Sequence, residues 1–435
     1  MTPSHSDNND TPPLKLRIAR DQRFACIQCG RCCRRWHVAL TRKEIEHLRS
    51  LSWPPGDAPE QDPVTVIRRQ PTIAHRDNGD CIYLDPKTGL CSIHSRFGEH
   101  AKPFGCRIYP FSIGSTFAGE VSVTARMDCP AACRNEGLPL SEKRAELKRF
   151  AVPLAKHTHT FDSHDLQGLS QDGAEAAADG AIHIVRNTER SIPLTAVLLS
   201  AYADRLHQLG SAFINDANTF ATVAPSLIDR LATTAVNHTY RPVGPVSRAV
   251  FRQWLATCLR RDEEVIGKPG TTRIARTVEL TRMLVNRGNP SRLGAEHPDL
   301  TLDRAKLFEK NRTPQPIPAV PTSNEMDVWE PLRRCLVGRL ETRQFFGPFL
   351  YGRPLLEGLR ALALFYPPVL AAARLHATAE TGTPQIRPAD VEYAVGTVDH
   401  SFGRAGRLQS NLLRSTEIFF GGLRHASLLA SLRWR

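Results

Sequence analysis

The stretch Cys26-Ile27-Gln28-Cys29-Gly30-Arg31-Cys32-Cys33 places four thiols within eight residues. Two-residue gaps let a backbone loop wrap around a centre while its thiolates converge, an arrangement that zinc knuckles and ferredoxin loops share. Gly30, between the second and third cysteines, eases the tight turn and frees amide groups to face the sulfurs. The spacing therefore points to a metal and leaves open whether it is iron-sulfur or zinc.

Further thiols follow in the same part of the chain. Cys81 and Cys91 flank a turn at Asp85-Pro86-Lys87-Thr88-Gly89, Cys106 opens Cys106-Arg107-Ile108-Tyr109-Pro110, and Cys129 and Cys133 stand close together around Pro130. Nine of the eleven cysteines fall between Cys26 and Cys133, a density that marks one functional module. A structural zinc or a 4Fe-4S cluster takes four cysteines, so nine allow two centres, or one centre with spare redox thiols. Cys32 and Cys33, being adjacent, are expected to point different ways. His94, in Cys91-Ser92-Ile93-His94, has the spacing of a nitrogen ligand, although histidines beside such sites more often stay unbound. Arg107 is the candidate cofactor-binding residue, placed to offset a negatively charged thiolate cluster or to grip an anionic substrate. Tyr109-Pro110-Phe111 reads as apolar cover. Cys258 and Cys335 sit in helical apolar patterns and are expected to be inert buried thiols.

With 435 residues the chain can bury ordinary cores and needs no disulfide staples. Met1 to Pro13 is polar and has no apolar stretch behind a basic start, so a reducing, cytoplasmic setting is expected, where clustered cysteines are metal ligands or redox groups. The longest apolar run, Ala361 to Ala373, carries Pro367-Pro368 and is too short to span a bilayer, so no membrane partner is expected. The formal charge of +13 suits an anionic partner, but the arginines are dispersed and aromatic residues sparse, which argues against nucleic acid and for a basic solvated surface.

The organisation follows from composition. Residues 1–20 read as a disordered tail, 21–140 as the cysteine module, 141–180 as a helix and linker, 181–310 as a helical domain, 311–325 as a Pro-rich linker and 326–435 as a C-terminal helical region. The predicted fold class is mainly α: an irregular, metal-organised amino-terminal module followed by one or two helical bundles. Within the module, Thr41 with Glu44 forms a capping box for a helix to Leu51, and Val64–Ile67 and Val121–Val123 are short β-prone pieces. Beyond it, Glu142–Phe150 reads as a helix and the acidic, Ala/Gly-rich 162–180 as a linker. Helices are then predicted at 194–209, 221–236, 246–265, 272–285, 326–346, 355–377, 388–402 and 412–432.

The ordered set Cys26-x2-Cys29-x2-Cys32-Cys33, Leu40-Thr41-x-x-Glu44, Asp80-Cys81-Ile82-Tyr83-Leu84-Asp85, Cys91-Ser92-Ile93-His94 and Cys106-Arg107-Ile108-Tyr109-Pro110-Phe111 resembles the YkgJ-type cysteine-cluster family, described as zinc- or iron-chelating. The resemblance covers roughly residues 24–133 and implies metal binding by Cys26, Cys29, Cys32, Cys33, Cys81, Cys91, Cys106, Cys129 and Cys133. Longer members similar to this chain are the flagellin lysine N-methylases, which join such a module to a helical region. That likeness implies an iron-sulfur cluster, S-adenosylmethionine and a protein substrate such as flagellin, with Arg107 beside the cofactor. The methyl transfer has no motif of its own in the chain. Cys129-x3-Cys133 is followed by Glu136 where a radical S-adenosylmethionine loop has its third cysteine, and no Gly-x-Gly-x-x-Gly turn, P-loop or His-Glu-x-x-His is present.

Overall fold

Thr41 starts its helix as predicted: the Glu44 amide donates to Thr41 Oγ1 at 3.3 Å, while the Thr41 amide donates to Glu44 Oε2 at 2.8 Å. The computed structural model describes residues 14–59, 61–67, 69–155, 159, 161–261, 271–294, 296–310, 313–404 and 411–433. Its cysteine module contains β1 (Leu16–Ile18), β2 (Arg23–Phe24), α1 (Arg31–Arg35), α2 (Arg42–Ser50), β3 (Val64–Ile67), β4 (Gln70–Ile73), α3 (Ser92–Phe97), α4 (Phe104–Ile108), β5 (Phe111–Ser115), β6 (Val121–Ala125), α5 (Pro130–Cys133), β7 (Leu138–Pro139) and α6 (Arg144–Ala155). β1 runs parallel to β6 and β5 antiparallel to it, giving the order β1-β6-β5. β3 and β4 form a hairpin, and β2 pairs with β7. The two predicted β-prone pieces are both strands, and each pairs with a partner other than the other.

The tail reading of residues 1–20 is corrected for Leu16–Ile18, while residues 1–13 lie outside the described residues. Leu14, Leu16 and Ile18 alternate with Lys15 and Arg17, a period-2 pattern, and Leu16 and Ala19 are buried. The pattern is only three residues deep, and its partner strand lies about a hundred residues on, which local reading cannot supply.

The helical region comprises α7 (Gln171–Arg186), α8 (Ile192–Leu209), α9 (Ser211–Asn215), α10 (Ala217–Asn237), α11 (Pro245–Leu259), α12 (Thr271–Leu284), α13 (Leu302–Ala305), α14 (Glu325–Val328), α15 (Glu330–Glu341), α16 (Leu355–Ala363), α17 (Tyr366–Thr381), α18 (Pro388–Ser401), α19 (Asn411–Phe419) and α20 (Leu423–Ser431). The predominance of helix and the irregular module agree with the predicted class. One apolar core runs from α7 to α20. The stretch Leu355–Thr381 is long and apolar enough to cross a bilayer, but it is buried inside this core. Three predicted helices are interrupted: 326–346 splits around Trp329 and ends at Glu341, 355–377 breaks at Leu364-Phe365, and 412–432 breaks at Gly421-Gly422. The helix predicted over 246–265 ends earlier, at Leu259, where Arg260 turns to an extended backbone; residues 262–265 lie outside the described residues.

The linker reading of 162–180 is corrected from Gln171 onward. Ser170 caps α7 by accepting from the Gly173 amide at 3.0 Å, and Ala174, Ala177, Ala178 and Ala181 are fully buried. Small residues there serve close helix packing. A Cβ at Gly180 would lie 2.0 Å from Tyr202 Oη, whose hydroxyl donates to the Ala177 carbonyl at 3.1 Å.

Module and helices meet through buried polar groups. Asp399 on α18 accepts from Arg339 of α15 at 2.6 Å and from the Met127 amide at 2.9 Å, and pairs with Arg404 at 3.0 Å. Asp128 pairs with Arg126 and, at 3.0 Å, with His400. Gln344 donates to the Ser112 carbonyl and to Ser122 Oγ, both at 3.0 Å.

Two substitutions test this packing. Gly180→Ala would gain at most about 1 kcal/mol of helix propensity, and overpacking against Tyr202 costs about 1–3 kcal/mol, so a lower denaturant midpoint is expected; a raised midpoint would refute the contact. Asp399→Ala strands two arginines and an amide, with an expected loss of about 3–5 kcal/mol; an unchanged chemical-denaturation curve would show that the network is not a structural tie.

Candidate metal centre

The cysteines are set in place by backbone contacts rather than by long elements. The chain leaves β2 into the Cys26–Gly30 loop, where Gln28 and Gly30 both have left-handed backbones. Gly30 is required there, since a Cβ would meet the Gly89 carbonyl at 3.1 Å and Leu84 at 3.2 Å. Cys32 and Cys33 follow on α1. The Cys81 amide donates to the Cys33 carbonyl at 2.7 Å, which docks the second cysteine segment on the first. Arg76 braces that segment: its guanidinium donates to the carbonyls of Cys81 at 3.2 Å, Ile82 at 2.8 Å and Leu84 at 2.8 Å. The Asp85–Gly89 turn, closed by Gly89 donating to the Asp85 carbonyl at 2.8 Å, returns the chain to Cys91, which bridges back to Leu84 and caps α3. Cys106 lies on α4, whose first amide, Phe104, donates to Glu44 Oε1 at 2.7 Å. Glu44 thus closes its own helix and aims the helix that carries Cys106.

This brings Cys32, Cys33, Cys81, Cys91 and Cys106 together. The sulfurs of Cys32 and Cys33 are 3.9 Å apart. Hydrogen bonding from Cys33 lowers the Cys32 thiol to about 7 against the cost of burial, helped by the positive charge of Lys102, while Cys33 is driven far up as the donor. Burial, reinforced by negative charge on Cys91 and Cys32, pushes Cys81 up to about 12, and the Cys106 thiol is raised chiefly by burial. Cys129 caps α5, and burial pushes its thiol up to about 12, with Asp128 and Cys29 adding to the rise. Cys26 and Cys29 are exposed. Cys133 faces away, into the helical core beside Cys335. The donor set fits a thiophilic metal: soft sulfur ligands converge in an apolar setting under backbone restraint.

The other sequence expectations sort cleanly. His94 is exposed on α3. Arg107 lies over the Phe104 ring at 5.9 Å and its charge helps hold Glu44 ionised; its Nε is buried without a partner. The cations that act on the thiols are instead Lys102, on Cys32 and Cys106, and Arg76, on Cys81. Sequence reading missed both, because each acts from outside the cysteine motifs; Lys102, four residues before Cys106, was the nearer signal. Tyr109 and Phe111 are packing residues as expected, with Tyr109 against Trp36 at 5.0 Å and Arg126 over both rings. Cys258 and Cys335 are buried in the helical core.

A nest of thiols braced by backbone contacts and roofed by aromatic rings defines a thiolate metal-binding domain. The particular family agrees: residues 25–151 match the family model of the CxxCxxCC zinc- or iron-chelating domain. The uncharacterized protein MJ0661 of Methanocaldococcus jannaschii is 27% identical over 127 residues, a match that spans 29% of this chain and 64% of that protein, less than two thirds of its length. No solved structure matches. The cysteine-rich segment is therefore similar to a family of zinc- or iron-chelating domains, and that likeness supports metal binding in a larger helical protein.

The electrostatics make Cys32 the thiol to watch once metal is stripped. Peptide mapping after brief alkylation at pH 7 should find Cys32 modified before Cys81 and Cys106, whose thiols burial raises, and Lys102→Met should slow the reaction of Cys32. Equal labelling of Cys32 and Cys106 at pH 7 would contradict the arrangement.

Proposed function

We propose that this is an iron-sulfur protein whose cluster is a 4Fe-4S centre held by the cysteine domain. The observation that carries this reading is the convergence of Cys32, Cys33, Cys81, Cys91 and Cys106 around one apolar setting, more thiols than the four that a single zinc takes.

The exposed Cys26–Cys29 loop supports a second step in the proposal, that the centre works on something outside the chain. The reaction implied by the likeness to flagellin lysine N-methylases is transfer of the methyl group of S-adenosylmethionine to a protein lysine, and we place it at this open face. When bound, the cluster supplies a Lewis-acidic and redox-active iron. The chain's part would be to hold that iron on thiolates whose negative charge Lys102 and Arg76 moderate at Cys32 and Cys81.

Anaerobically purified protein should be brown, absorb broadly near 400 nm and contain iron with acid-labile sulfide. Cys106→Ser should lose about half of that metal or more and make residues 21–140 more sensitive to protease, whereas Cys258→Ser and Cys335→Ser keep full metal content. A colourless protein that releases zinc would overturn the iron-sulfur reading. Labelled S-adenosylmethionine added with host lysate should label a protein band only when the cluster is intact; a cluster-replete protein that labels none would leave a non-catalytic redox or structural domain that docks a partner.

A further inference from the structure

Nine thiols exceed one four-cysteine site, and the structure divides them. Cys133 stands apart from the rest. It is buried at the end of α5 within the helical core, its Sγ 3.5 Å from the Glu392 carbonyl and its own carbonyl held by Arg334. The other eight fall into two settings. Cys33, Cys81, Cys91 and Cys106 pack in one apolar cluster with Val38, Leu48, Tyr83 and Ile93. Cys129 belongs to a separate cluster with Phe111, Leu140 and Ile27, and Ile27 lies between Cys26 and Cys29.

Backbone contacts support the second grouping. β2 leads directly into Cys26 and pairs with β7, just beyond α5. Gly137 lies so close to Ala25 that a Cβ on it would come within 2.4 Å, so the loop starts beside the segment that Cys129 opens. Cys32 sits at the junction: it follows the loop on α1, and its sulfur is 3.9 Å from that of Cys33. Contrary to the expectation that adjacent cysteines diverge, Cys32 touches Cys33, while its backbone continues the loop that carries Cys26 and Cys29, so it stands between the two groups.

We infer that the domain holds two four-thiolate metal centres, one on Cys33, Cys81, Cys91 and Cys106 and the other on Cys26, Cys29, Cys32 and Cys129, with Cys133 a core residue that binds none. The inference rests on the metal-binding reading above and deepens it. The first centre is enclosed, because Cys81 is buried and its three partners are partly so. The second is open, because Cys26 and Cys29 are exposed. An enclosed centre suits a structural or electron-transfer role, and the open one is where an outside molecule reaches metal.

The test is elemental analysis of the full chain, purified anaerobically, for iron, zinc and sulfide per protein molecule. Two centres give about eight irons with eight sulfides, about two zincs, or one centre of each kind. Cys106→Ser and Cys129→Ser should each keep about half the metal, the double variant should keep none, and Cys133→Ala should keep all. A native content of one centre overturns the inference even where a variant fails to fold, as does complete loss in both single variants or a Cys133→Ala loss as deep as theirs. Native protein with no metal at all would instead remove the metal-binding reading on which the division rests.

Discussion

The carboxylate of Asp399 is the constraint on which the cysteine domain's position depends. Burial works against its charge, yet Arg404 and Arg339 hold its pKa down to about 2, so it stays an anion inside the protein. A charge in that setting is stable only while its partners stay in place. One of them is the Met127 amide, in the segment between β6 and Cys129. Next along that segment, Asp128 is fixed by Arg126 and His400, and Arg126 lies over Trp36 and Tyr109 at the edge of the thiol nest. The helical region is thus a scaffold that sets the backbone of Cys129 and, through Arg126, the aromatic roof.

The thiols themselves carry an opposing requirement. Burial raises Cys81, Cys106 and Cys129, so without metal these residues hold their protons. Metal binding must expel those protons, which ties affinity to pH and makes metal uptake part of folding. Lys102 and Arg76 ease this by favouring thiolate at Cys32 and Cys81. Neither is a ligand.

Local chemistry was legible in the sequence and long-range chemistry was not. The Thr41-Glu44 capping box could be read because both partners lie within one helical turn. That Glu44 also accepts from Phe104 could not, since sixty residues intervene. The crowding of nine cysteines announced a metal domain, but the departure of Cys133 into the helical core depends on Arg334 and Glu392, far along the chain. Arg107 looked like the charged partner because it follows Cys106, whereas the folding of α4 turns it to Glu44 and Phe104. The alanine- and glycine-rich composition of residues 171–180 misled in the same way: small side chains suit a flexible linker or a tightly packed helix, and only the neighbouring α8 decides between them.

The parallel pairing of β1 with β6 has a consequence for how the protein is made. Leu16 meets Val121, and the Arg20 amide finds its acceptor on Glu341, so the amino-terminal strand cannot be locked until residues far downstream have left the ribosome. At about 5–20 residues per second, the three hundred or so residues between Cys33 and Glu341 take roughly 15–60 s to synthesise. During that interval the emerging cysteines lack the scaffold that later encloses them. Nascent chains are therefore the form in which these thiols are least enclosed.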